Sequence, residues 1–118
     1  MREKSTLMAS KLPNYLRTFR KRAYFTQDEM AFLLGTDSGT RVSRYERFTR
    51  EPAFETALAY SVIFTAPPEE LFSGVHGRVA ERVRDRASRL LAKLDARPQD
   101  AASQRKRDAL RAITMSAP

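Results

Sequence analysis

Residues 26–47 read TQDEMAFLLGTDSGTRVSRYER, and this stretch decides the fold. Thr26 followed three residues later by Glu29 is a capping box, in which hydroxyl and carboxylate each satisfy a free backbone N–H at a helix start. The helix it opens is expected over 27–34, with Met30, Ala31 and Leu34 inward. Gly35 then supplies a turn, because glycine takes positive φ at no steric cost. Asp37 and Ser38 are capping types for the next helix, whose apolar positions Val42 and Tyr45 stand three apart. Ala31 is small enough for a close helix crossing, and Val42 anchors the second helix to a core. At about 100° per residue, Val42 and Tyr45 fix the buried direction of that helix. Thr40, Arg44 and Arg47 then fall on its opposite side with Ser43 beside them, while Glu46 flanks the core.

Outward from this stretch, residues 1–11 are polar, carry Arg2, Lys4 and Lys11 against Glu3, and are expected to form a mobile basic arm. They lack the apolar run of a signal peptide. Pro13 suits the first turn of a helix, and Leu12, Leu16, Phe19 and Ala23 recur at helical spacing. The same rotation puts Arg20 beside that apolar face, where an ion pair with Glu46 would tie the second helix of the central stretch to the scaffold. After Pro52, Ala57, Leu58, Val62 and Phe64 suggest a fourth helix from about Ala53 to Phe64, and Pro67-Pro68 with Glu69 and Glu70 open a fifth.

Gly74 and Gly77 are expected to loosen the chain, so that residues 12–73 form one domain and 74–118 a helical extension. In that extension Val79, Val83, Ala87, Leu90 and Leu94 make an apolar stripe that needs covering, either by folding back on the core or, the favoured reading, as a dimer interface. The other face is crowded with Arg78, Arg82, Arg86, Arg89 and Lys93. Pro98 ends this helix, and a weak last one around 100–113 carries Arg105, Lys106, Arg107 and Arg111. No internal repeat and no strand pattern is present, so the class is all-α.

The 118 residues carry 22 Lys and Arg against 14 Asp and Glu, a net charge of +8 with a sequence pI of about 10.4. That balance favours a polyanionic partner. No apolar run is long enough to span a bilayer. With no cysteine, a single histidine (His76) and no phosphate-binding glycine loop, an enzyme, a metal site or a bound cofactor is not expected. Two arginines and two hydroxyls on one helix face suit the edges of DNA bases, since Arg grips guanine O6 and N7 with two hydrogen bonds. Thr40 and Arg44 are the candidates for bases, Ser43 and Arg47 for phosphate. The competing reading of that face is an ordinary solvated surface.

LRTFRKRAYFTQDEMAFLLG, followed by VSRYERFTREP, resembles the phage-repressor and Cro-like helix-turn-helix regulators of the XRE family over about residues 12–72. The resemblance implies a five-helix lambda-repressor-like domain with the third helix reading DNA, usually as a dimer; the absence of cysteine makes a bacterial-type cytoplasm, on the nucleoid, the expected compartment. Carried over by position, Gln27 would donate to a phosphate, and Arg20 and Glu46 would form the family's buried pair. The candidate DNA-contacting set is then Gln27, Ser38, Thr40, Arg41, Ser43, Arg44 and Arg47. Three positions depart from the pattern. Six residues instead of five separate Gly35 from Val42, and Tyr24 and Phe48 stand where the family often has glycines closing helices 1 and 3. Either those helices close without a left-handed residue, or two aromatics occupy that region. The alternative function is an antitoxin or adaptor whose C-terminal helices hold a protein partner.

Overall fold

The computed structural model describes residues 11–116, which form seven helices and no strand: the protein is all-α over the described residues. The helices are α1 (Leu16–Arg22), α2 (Gln27–Leu34), α3 (Gly39–Glu46), α4 (Phe54–Phe64), α5 (Pro68–Leu71), α6 (Ser73–Asp95) and α7 (Ala101–Met115). Apart from Lys11, the expected basic arm lies outside the described residues. The chain divides into two compact units, Met1–His76 and Gly77–Pro118. The boundary therefore falls inside α6, and not in a loosened glycine segment.

The first unit is built on Leu16, Met30, Ala31, Val42, Tyr45, Tyr60, Ala66 and Leu71, with Phe19, Phe25, Leu34, Ile63, Phe64 and Phe72 packed against them. Tyr60 is its hub. Its ring meets Tyr45 edge-on at 6.3 Å, Phe64 in a stack at 6.0 Å and Phe72 edge-on at 6.5 Å. The face expected of α4 was different: Leu58 and Val62 are 41% and 78% exposed. FETALAYSVIF is apolar nearly all round and sets no single direction, so the large ring, with the most area to bury, takes the inward position.

α1 begins three residues later than Pro13 suggests, for a non-local reason. The buried Asn14 side chain accepts from the Leu16 N–H at 3.1 Å and donates to the Tyr45 carbonyl at 3.1 Å. The Tyr15 N–H donates to the Leu71 carbonyl at 2.8 Å. Leu12 and Ala23 are exposed, so Leu16 and Phe19 alone carry the apolar face of α1.

α1 and α3 each close through a left-handed aromatic. Tyr24 has φ 64° and Phe48 φ 65°, and the residues after them donate back to the Arg20 and Arg44 carbonyls at 3.2 and 3.0 Å. The left-handed region costs a non-glycine residue about 1–2 kcal/mol. Gly74 is not a hinge. It lies in the first turn of α6, where a Cβ would strike the Leu12 carbonyl and the Pro13 backbone, while the Val75 N–H donates to the Pro13 carbonyl at 3.2 Å. Close backbone approach is the reason for glycine there. Gly77 is equally helical, with open space around it.

In the second unit α6 and α7 pack through Ala87, Leu94 and Leu110, with Leu91 and Ile113 partly buried. The expected stripe is therefore split. Ala87 and Leu94 lie inside, whereas Val79, Val83 and Leu90 are 42%, 46% and 47% exposed. α7 packs on the side of α6 marked by Ala87, Leu91 and Leu94, so Leu91 replaces Leu90 in the contact. Arg107, one of the cations on α7, is only 2% exposed. Its Nε donates to Asp95 Oδ1 at 3.0 Å and its Nη2 to the Leu94 carbonyl, so it caps the end of α6.

Candidate functional site

The start of α2 is the capping box expected from sequence: Thr26 Oγ1 accepts from the Glu29 N–H at 3.0 Å, and Glu29 Oε1 from the Thr26 N–H at 2.8 Å. Gly35, at φ 74°, ends α2. After Thr36 and Asp37, Ser38 caps α3 by accepting from the Thr40 N–H at 3.3 Å. The start of α3 docks on the start of α2. The Gly39 N–H donates to Asp28 Oδ1 at 3.1 Å, and a Cβ at Gly39 would press on that carboxylate and on the backbone of Gln27 and Asp28. Thr40 and Arg41 consequently belong to the first turn of α3.

Val42 and Tyr45 are buried, at 0% and 3% exposure, and hold α3 against the core. Thr40, Arg44 and Arg47 are exposed, and Ser43 is half-buried beside them. Arg44 enters no ion pair among the described residues. Arg47 Nε returns to Ser43 Oγ at 3.1 Å, one helical turn back. Arg41 points to the flank and is half-buried, and Ser38 is engaged as a cap.

Arg20 and Glu46 meet in a two-pronged ion pair, Nε to Oε2 at 2.6 Å and Nη2 to Oε1 at 3.1 Å. The third arm of the guanidinium, Nη1, donates to the Phe25 carbonyl at 2.8 Å. Hydrogen bonding to Glu46 holds the guanidinium above its ordinary proton affinity in spite of burial. Gln27 joins this network, its Nε2 donating to Glu46 Oε1 at 3.2 Å. A phosphate-binding role for Gln27 thus requires the amide to leave or share that carboxylate.

An open groove of about 600 Å³ lies over this network, lined by Arg17, Arg20, Thr26, Gln27, Ser43, Glu46 and Arg47. It adjoins a second of about 550 Å³ bounded by Asp28, Gly39 and Thr40. With Arg20 neutralised by Glu46, the cations left to meet an anion in the groove are Arg17 and Arg47. Arg17 was not among the expected contacts. Its signal was available, for it stands three residues before Arg20 and so on nearly the same face of α1. The arrangement can hold a phosphate between two guanidiniums and a hydroxyl while the exposed face of α3 meets a wider surface.

Among the described residues, no group of three or more His, Cys, Asp or Glu is placed to hold a metal ion, and no helix is long and apolar enough to cross a membrane. No protein-family model, no curated protein and no solved structure matches the chain.

Proposed function

We propose that this protein binds double-stranded DNA in a sequence-specific manner, with α2 and α3 acting as a helix-turn-helix within a lambda-repressor-like set of five helices, α1 to α5. α3 is the element that enters the major groove, and control of transcription, in the manner of a repressor, is the consequence. Occupying an operator needs no chemistry, so the role is not enzymatic. The observation that carries this reading is the division of α3: Val42, Tyr45 and Glu46 are buried, while Thr40, Arg44 and Arg47 face outward. A helix so anchored offers its free face to base edges without rearrangement. Thr40 and Arg44 are assigned to bases. Ser43, Arg47 and Gln27 are assigned to phosphate, with Arg17 added from the groove.

Selection of bound sequences from a random duplex pool tests this directly. A preferred motif is expected, and two half-sites about one DNA turn, roughly 34 Å, apart would report binding by a dimer. On the selected site, Arg44→Ala should weaken binding by about 1–3 kcal/mol and leave affinity for unrelated duplex unchanged. Equal affinity of Arg44→Ala and wild type for that site would remove Arg44 from base reading. A second reading, an adaptor or antitoxin, is favoured by the exposed Val79, Val83 and Leu90 on α6. An unselective pool result together with a stoichiometric protein partner would support it.

A further inference from the structure

Charge is unevenly shared between the units. Residues 77–118 hold eleven Lys and Arg against five Asp and Glu (11 − 5 = +6), most of the +8 of the whole chain. Five of these cations, Arg78, Arg82, Arg86, Arg89 and Lys93, are exposed on α6. At about 100° per residue they fall within about 80° of the helix circumference, and from first to last they extend about 22 Å along it. Arg89 is held by Asp85 at 2.7 Å, an exposed pair. No ion pair among the described residues involves the other four.

From this ridge we infer that the second unit is a separate, sequence-independent contact surface for the phosphate backbone of duplex nucleic acid. It adds affinity without adding selectivity. Duplex DNA presents about one charge per 1.7 Å of axis over its two strands, so a 22 Å cationic ridge runs along a length of duplex that carries about a dozen phosphates and can release the counterions of several. Residues 77–118 contain no Phe, Tyr or Trp. The unit therefore has no platform on which the bases of a single strand could stack, and none of the aromatic anchors that hold proteins at a lipid interface. Nine of its eleven cations are Arg, whose planar fork matches phosphate oxygens better than an ammonium does. The inference does not depend on α3 reading bases.

The test is the full-length chain with Arg78, Arg82, Arg86 and Lys93 all changed to Gln, a residue with similar helix propensity. Unchanged helicity by circular dichroism establishes that the fold is retained. Against a random-sequence duplex of about 30 base pairs, the slope of log K on log salt should fall in magnitude by about three to four, with affinity at low salt weaker by on the order of tenfold or more. The preference for a selected site over random duplex should be unchanged. Wild-type affinity and slope in this variant would overturn the inference. So would tighter binding by the wild type to a thymidine single strand, or to vesicles of equal phosphatidylglycerol and phosphatidylcholine, than to the duplex. If pool selection returns no motif while the four changes still lower duplex affinity, the α3 reading fails and this one stands.

Discussion

Each unit buries one arginine, and the two are buried differently. In the first, both partners are enclosed: the Arg20 and Glu46 side chains are 10% and 2% exposed, and every nitrogen of the guanidinium has an acceptor. In the second, Arg107 is 2% exposed, but Asp95 is 55% exposed and the Arg107 Nη1 has no partner among the described residues. The surroundings differ in the same sense. Eight buried apolar residues surround the first pair's unit, whereas Ala87, Leu94 and Leu110 alone are the buried core of the second. The first unit invests core and polar contacts in fixing the orientation of α3. The second is a pair of helices with a small core, which leaves most of its cations exposed.

The largest expected effect tests this contrast with one substitution made twice. Arg20→Met leaves the Glu46 carboxylate buried without its cation and the Phe25 carbonyl without its donor, and should cost the first unit about 3–5 kcal/mol. Arg107→Met keeps the stem's packing and removes the unpartnered Nη1, and Asp95 is already largely solvated, so with only the Leu94 carbonyl left without its donor the loss should be smaller, about 1–2 kcal/mol. All four tyrosines, Tyr15, Tyr24, Tyr45 and Tyr60, lie in the first unit and the chain has no tryptophan. Tyrosine fluorescence in urea therefore follows that unit alone, while far-ultraviolet circular dichroism follows both. Equal shifts of the two variants would erase the distinction between the units.

A smaller effect follows from backbone strain, which the described residues confine to the first unit. Its three left-handed non-glycine residues are Tyr24, Phe48 and Thr65, and none lies beyond residue 76. Tyr24 is 92% exposed, so Tyr24→Gly removes strain with almost no packing to lose and should stabilise the first unit by about 0.5–1 kcal/mol. Phe48 is 44% exposed, and Phe48→Gly should gain less because part of its ring packs. A destabilised Tyr24→Gly in the same urea titration would mean that the aromatic is retained for a contact of its own.

What could be read in advance follows how local each determinant is. The capping box, the Gly35 turn and the inward pair Val42 and Tyr45 are set by neighbours within four residues, and rotation about a helix axis sufficed to bring Arg20 toward Glu46. The start of α1 was not readable, because Asn14 takes its partner from Tyr45, 31 residues away. Gly74 looked like a hinge because the residue requiring a missing Cβ, Leu12, is distant in sequence. On α6 the apolar stripe was real, but sequence periodicity does not say which edge of a broad stripe a partner helix will cover, and α7 covered the edge at Leu91. Arg107 is the sharpest case. Among Arg105, Lys106 and Arg111 it looks like one more cation, and the end of α6 alone makes it an inward cap.

The smallest expected effect again separates the units, through their helix caps. α2 and α3 are capped by the hydroxyls of Thr26 and Ser38, whereas α7 is capped by a carboxylate, Asp100 Oδ1 accepting from the Ser103 N–H at 2.7 Å. That hydrogen bond holds Asp100 below the usual carboxylate range. A group whose folded-state value is lowered contributes its stability above the unfolded value and loses it as pH falls through the folded one. The cap at α7 should therefore be intact at neutral pH and released on acidification below about pH 4, near the value of a free aspartate. Amide chemical shifts report this residue by residue: the Ser103 N–H should move with the titration of Asp100, and Asp100→Asn, which keeps an acceptor but not the charge, should abolish the movement. A Ser103 amide that ignores pH in the wild-type chain would show that α7 starts without this cap. The second unit would then lose a contact that its small core is poorly placed to replace.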